Sequence, residues 1–388
     1  MLRGMASRVV ALVILLGAAT ASAEPPTIEL VTMGIGSLMW ERHGHIAICV
    51  TQHGLRESLE HRAPGDFCYN YGIADFHHPA AMGWGFLRGT RSFWVGKELP
   101  ELLYETYQRT DRSIWVQTLP LSAARKAKMV AKLDDDLLEE HRYYAYDHFG
   151  DNCTTRIRDI IDDATDHALA TMPDSAGDRT FRDYARDGFA GMTVPLLITD
   201  AILGRAGDRV PTYWERMFLP QYLREAVQTR WGVAPALLYE RQVCRGSQDP
   251  SCIARGIPSA DGGSGRWLLA LVIVVLTAPV WVTRAIGKLQ RTGLALSVLP
   301  YWLLGTLLTA LAILTPRPYL RWNELLLVWF PLDLAILVLA PAWKVKYARA
   351  RVAMLALIGV LLLAGVFHQP LWVALLWPLI PMITVATA

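Results

Sequence analysis

The hydrophobic and polar positions of this 388-residue chain follow successive rhythms. Between Thr27 and Leu119 short runs alternate apolar with polar residues and are rich in β-branched and aromatic side chains. This period of two predicts strands at Thr27–Met33, His45–Thr51, Leu55–His61, Phe67–Tyr71 and Ser113–Leu119. A 3.6-residue period then predicts helices at Pro100–Asp111 and at Ser122–His141, the second opened by a serine cap. After Cys153 the apolar residues Ile157, Ile160, Ile161 and Ala164 recur at helical spacing, so Asp151 or Asn152 is the expected N-cap and Cys153 falls in the first turn. Met192–Leu203 reads as a further apolar helix, buried in the core or dipping into lipid headgroups. Strands first and helices later make this part an α+β domain.

The two ends differ in kind. Arg3 and Arg8 precede an apolar run, Val9–Ala19, which closes on Ala21-Ser22-Ala23, the pattern of a secretory signal peptide over residues 1–23; an uncleaved anchor is the alternative. From Trp267 onward charges are rare, and the pattern predicts an all-α membrane domain at 267–388. Its expected spans are 267–286, 294–315, 325–342, 352–367 and 371–387, with four or six as alternatives to five. Residues 24–258 form the exported part, and Ser259-Ala260-Asp261-Gly262-Gly263-Ser264-Gly265 gives 259–266 the composition of a flexible linker. Arg284, Lys288 and Arg291 lie between spans one and two, and Lys344, Lys346, Arg349 and Arg351 between three and four. Arg317 and Arg321 stand alone between two and three. Cationic loops stay in the cytoplasm, so residues before Trp267 are expected outside it and the C-terminus inside. The net charge of +3 averages over these parts and says little about partners.

All five cysteines lie in the exported part, where disulfides form. Cys244 and Cys252 flank a short loop with Gly246 and Pro250, as a disulfide would. Cys49 and Cys68 sit on predicted strands and pair if those strands are neighbours. Cys153 is left over. A helix start lowers a thiol's pKa, and Arg156 and Arg158 are close in the chain. A base must come from elsewhere: His45, opening a strand after Gly44, is the first candidate and His43 the alternative. His77-His78 beside Asp75, with the two earlier histidines, lacks any metal-ligand spacing, so no metal is expected. Asp134-Asp135-Asp136 and Glu139-Glu140 read as a solvated helix face. No phosphate loop and no basic pattern for nucleic acid appears.

Gly44-His45 at a strand start, Tyr69-Asn70-Tyr71-Gly72-Ile73-Ala74-Asp75-Phe76, Tyr144-Ala145-Tyr146 and Asp151-Asn152-Cys153-Thr154-Thr155-Arg156-Ile157-Arg158-Asp159 together resemble the Lnb N-terminal periplasmic domain family. Leu203-Gly204-Arg205, Asp208 and Met217-Phe218-Leu219-Pro220 are similar to that family's later portion; His43-Gly44-His45 departs from its usual aromatic-Gly-His. The resemblance implies a circularly permuted papain-like fold, with the histidine strand ahead of the cysteine helix. It implies a cofactor-free lipoprotein N-acyltransferase of the bacterial inner membrane that moves an acyl chain from a phospholipid to a diacylglyceryl lipoprotein through a Cys153 thioester. Asn70 is then the first choice to orient His45, and Asp75 the second. Asn152 belongs to the helix start, and Arg156 and Asp159 read as an ion pair or cap in the site wall, with phosphate recognition by Arg156 as the other reading. A cysteine peptidase, amidase or lipid hydrolase and a non-enzymatic envelope assembly factor are the competing functions.

Overall fold

A computed structural model of the chain describes residues 25–174, 177–242 and 260–387. The expected signal peptide and the Cys244–Cys252 pair lie outside the described residues. The N-terminal part is a seven-stranded antiparallel sheet: β1 (Thr27–Met33), β2 (His45–Thr51), β3 (Phe67–Ile73), β4 (Phe93–Glu98), β5 (Ile114–Thr118), β6 (Tyr143–Tyr144) and β7 (Ala236–Tyr239), in the spatial order β6-β4-β3-β2-β1-β5-β7. Between the strands run α1 (Leu55–Glu60), α2 (Pro79–Arg88), α3 (Pro100–Arg109) and α4 (Ala123–Asp135). Then come α5 (Cys153–Ala164), α6 (Phe181–Asp187), α7 (Thr193–Ile202), α8 (Tyr213–Arg216) and α9 (Pro220–Trp231).

Alternation along β1 and β2 builds two cores. Ile28, Leu30, Ile46 and Ile48 point to the face covered by α5, where Ile157 and Ile161 are fully buried. Val31, Met33, Ala47 and Cys49 point to the other face, covered through Leu55 and Leu103. Cys49 and Cys68 are directly paired across β2 and β3 and form a disulfide. Leu55–Glu60 is a helix where a strand was expected, because its inward residues Leu55, Ser58 and Leu59 follow a period of 3 to 4 and not of 2. Helix α4 keeps its Ser122 cap but stops at Asp135. The acidic run at its C-terminal end is not all solvated: Tyr69 donates to Asp134 and Tyr71 to the buried Asp136, each at 2.8 Å.

The C-terminal part contains α10 (Gly263–Ala285) and α11 (Gln290–Leu314), two helices long and apolar enough to cross a membrane. After them come α12 (Pro318–Arg321), α13 (Leu325–Val328), α14 (Pro341–Leu363) and α15 (Leu376–Ala386). Three expectations change here. The Gly-Ser stretch is not a linker throughout, since α10 already begins at Gly263. A Cβ on Gly265 would lie 2.7 Å from Leu197 N, so this glycine serves close packing on α7. The expected third span, 325–342, is broken into α13 and a 3-10 turn at Pro331–Leu337, because Pro331 and Pro341 lack the N–H a continuous helix needs. Arg351 takes up the carbonyls released at this break, donating to Val328 O at 2.9 Å and Leu327 O at 3.3 Å while pairing bidentately with the fully buried Asp333. Helix α14 therefore begins about ten residues earlier than the fourth expected span and carries its cations inside the helix.

The two parts are joined by polar contacts. Arg317, just beyond α11, pairs with Asp147 at 3.1 Å and donates to Tyr146 O. Gln369, between α14 and α15, donates to Leu203 O at 2.6 Å. The two loops expected on the exported side are thus the ones that touch the N-terminal part. At the other end Arg284 and Arg349 donate to the carbonyls of Thr384 and Ala386.

Candidate functional site

Asn152 caps α5 with its side chain: Oδ1 accepts from Thr154 N at 2.8 Å and Thr155 N at 2.9 Å, while Nδ2 donates to His148 O at 2.7 Å and Phe218 O at 2.9 Å. All four bonds are at a site 3% exposed, so the start of the helix is held from both sides. Cys153 follows as the first helical residue, buried, and is the free cysteine among the described residues. Gly72, next to last in β3, has φ +83° at a bulge, and a Cβ there would meet Cys153 Cβ at 3.6 Å. Burial pushes the thiol's pKa up, while the Thr154 hydroxyl and the backbone N–H groups of Thr154, Cys153 and Ile46 pull it down. The sulfur therefore sits beside the residue that follows His45.

His45 opens β2, and Ala47, two residues on, is directly opposite Asn70 on β3. The two-residue period places His45 and Asn70 on one face as diagonal neighbours. Asn70 Nδ2 donates to Glu98 Oε1, which turns Oδ1 toward His45; His45 Nε2–H donates to it at 3.2 Å. This chain leaves the lone pair on Nδ1. Burial, then the positive field of Arg112, hold the His45 pKa down at about 4 against the opposing Asn70 bond, so the imidazole is neutral at neutral pH. Tyr107 of α3 stacks on His45 with ring centroids 6.0 Å apart, and the Arg112 guanidinium lies over the Tyr107 ring at 4.7 Å.

The other candidates are placed elsewhere. His43 lines the same cavity, but its Nε2 is within hydrogen-bond distance of Ala185 O (3.1 Å) and its ring packs on His148 and Phe189. Asp75 is exposed and serves His78 Nδ1 at 2.7 Å, so Asn70 and not Asp75 meets His45. Arg156 pairs with Asp151 and stacks on Tyr144, away from the thiol's cavity, while Asp159 pairs with Arg158. The expected Arg156–Asp159 pair is therefore exchanged for two others. Among the described residues no cluster of three or more His, Cys, Asp or Glu side chains is placed to hold a metal ion.

His45, Asn70 and Cys153 line one cavity of about 800 Å³. Its polar end holds Glu41, Lys97, Glu98 and Arg112; its apolar end runs along Phe86, Leu87, Phe149 and Ile202 to Leu311 of α11 and to Leu320. A nucleophile candidate thus faces a passage that ends at a membrane-length helix. The family model of the Lnb N-terminal periplasmic domain matches residues 17–184. This part of the chain belongs to that family. No curated protein and no solved structure shows significant similarity to the chain. The Lnb domain match takes in β1 to β6, α5 and the whole His45–Asn70–Cys153 set, and ends within α6. With the two apolar helices that follow, it is consistent with a membrane protein that carries a periplasmic domain. Glu98, Tyr107 and Arg112 of the Lnb domain were not legible as site residues. They stand on elements that only the sheet order and the docking of α3 bring to His45.

Proposed function

We propose that this Lnb-domain protein is an N-acyltransferase acting on lipoproteins at the bacterial inner membrane. The observation that carries the reading is one cavity whose polar end presents Cys153 at a capped helix start with a His45–Asn70–Glu98 chain, and whose apolar end opens toward α11. The chain order, histidine strand before cysteine helix, agrees with a permuted papain-like domain. In this reading the C-terminal helices hold the site at the lipid surface, with the C-terminus cytoplasmic.

With the thiol pKa raised and the imidazole pKa lowered, the resting pair is neutral, and the proton moves only as bonding to the substrate begins. His45 Nδ1 takes the Cys153 proton while sulfur attacks the ester carbonyl carbon of a phospholipid. The oxyanion is stabilised by the N–H of Cys153 at the helix start and the N–H of Ile46 at the start of β2. Collapse breaks the acyl C–O bond, His45 returns the proton to the glycerol oxygen, and lysophospholipid leaves a thioester. The neutral α-amine of a diacylglyceryl cysteine then attacks the same carbonyl carbon, the C–S bond breaks, and His45 carries the amine proton to the departing thiolate. Ester and amine are consumed, and amide and alcohol are formed, with the enzyme restored.

Mass spectrometry of lipoprotein N-terminal peptides from cells that depend on this protein tests the proposal. Wild type is expected to give N-acylated peptide and Cys153→Ala none. N-acylated product from the Cys153→Ala cells would overturn the assignment, and release of free fatty acid or peptide cleavage in place of amide would favour a hydrolase.

A further inference from the structure

Arg112 stands between α3 and β5, 4% exposed, and lines the polar end of the cavity. A guanidinium carries five N–H donors and is always charged. Here its Nε donates to Gly34 O at 2.8 Å and its Nη1 lies 3.6 Å from Glu41 Oε1, beyond hydrogen-bond reach. Among the described residues Nη2 has no hydrogen-bond partner. A buried polar group without a partner is costly and rare, and a buried guanidinium with one such bond is the more so. The Tyr107 ring under it, itself stacked on His45, fixes its plane next to the candidate base.

Among the described residues its surroundings supply no acceptor to Nη2. Glu41 is its counter-charge, and Glu98 at the same end is occupied by Asn70. Arg241 adds positive field from outside the cavity and is itself 3.8 Å from Asp111. Lys97 also lines the polar end. Arg156, the arginine that the sequence offers for phosphate, lies outside this cavity.

We propose that Arg112 is the phosphate-binding residue of the donor subsite, its unpaired Nη2 holding the phosphodiester of a membrane lipid while the acyl chain lies along the apolar end. The inference rests on the acyl-transfer reading for the lipid's fate, but the binding it asserts can be measured without turnover. Planar N–H pairs suit phosphate oxygens, and a charge-assisted bond satisfies the donor the fold leaves open.

The test uses the full chain carrying Cys153→Ala in detergent micelles, titrated calorimetrically with dihexanoylphosphatidylglycerol, with 1,2-dihexanoylglycerol and with inorganic phosphate. Phospholipid is expected to bind at least tenfold tighter than the diacylglycerol, and Arg112→Gln to erase that preference while changing diacylglycerol affinity less than twofold. Arg112→Lys, which keeps the charge, is expected to retain part of the preference. Glu41→Gln removes the counter-charge and leaves Arg112 in place; it is expected to tighten phospholipid binding, which guards against a folding defect in the Arg112 variants. No preference in the parent protein, an equal loss for both lipids in Arg112→Gln, or weaker phospholipid binding in Glu41→Gln would overturn the proposal. Inorganic phosphate binding as tightly as the phospholipid would assign the site to free anion and overturn the headgroup reading. Acyl transfer itself is scored separately, as thioester on Cys153 in the wild-type chain, so intact headgroup selectivity without thioester would sink the enzymatic reading alone.

Discussion

Removing the Asn152 side chain is expected to loosen the start of α5 more than loss of an ordinary cap does. In Asn152→Ala the N–H groups of Thr154 and Thr155 lose their shared acceptor, a change that costs about 1 kcal/mol at typical caps. The carbonyls of His148 and Phe218 also lose their donors at a buried site, for at least about 1 kcal/mol each. The expected total is roughly 3 kcal/mol, which for a domain of this size lowers the melting temperature by about 6–12 °C. Asn152→Ser keeps a capping oxygen but cannot reach the two carbonyls, so it is expected to fall between wild type and alanine. Thermal unfolding of the full chain in detergent, followed by tyrosine and tryptophan fluorescence, gives the ordering. Alkylation of Cys153 gives the local readout, because a frayed first turn exposes the thiol and speeds the reaction. A serine variant as stable as wild type would refute the role of Nδ2. Alanine and serine variants of equal stability would refute the cap.

Three further outcomes follow from buried charge and hydrogen bonding. The pKa of His43 is held at about 3, and those of His45 and His148 at about 4, chiefly by burial, against an ordinary 6.5. The unfolded chain thus binds more protons below pH 6.5, so stability is fully present above that value and falls as pH drops toward 4. Melting temperature measured from pH 7 to pH 4 checks the fall, and His148→Phe, which keeps the ring contacts, is expected to flatten it; an unchanged slope would count against these assignments. Asn70→Ala is expected to slow thioester formation on Cys153 by about 100-fold, and Glu98→Gln, one bond further away, by less, as read by intact-protein mass after a single turnover. Asp333→Asn leaves Arg351 buried without its carboxylate and is expected to cost about 3–5 kcal/mol, while Asp333→Asn with Arg351→Met recovers much of the loss; equal detergent stability of the two variants would argue against a buried pair.

Local signals were legible wherever one element's own spacing carried the information. The bounds of β1 and β2 could be read directly, and the cap of α5 to within Asp151 or Asn152, since alternation and a polar side chain before an apolar helical repeat act within a few residues. The helix at Leu55–Glu60 could not, because six residues satisfy both periods until a partner surface chooses one. The broken third span had the composition of a membrane helix, and only Arg351, more than twenty residues later, supplies the donors that let the chain leave helical geometry there. The acidic run at the end of α4 read as solvated because the tyrosines that use it stand on a distant strand.

For the site, residue types and order pointed to Cys153 and His45 as candidates before any fold was known, since an unpaired thiol at a helix start and a histidine at a strand start are properties of short segments, while Asn70 came with the family resemblance. The sequence ranked His45 ahead of His43 and Asn70 ahead of Asp75 but left both alternatives open. That choice needed the register of β2 against β3, which puts Ala47 opposite Asn70 and so turns His45 toward it. Tertiary structure alone decided that Glu98 backs Asn70, that Arg112 enters the cavity with a donor unmet, and that Arg156 stays outside it. Pattern along a chain reports periodicity and local hydrogen bonding, whereas a cavity and the charges that face it exist only once distant elements have packed.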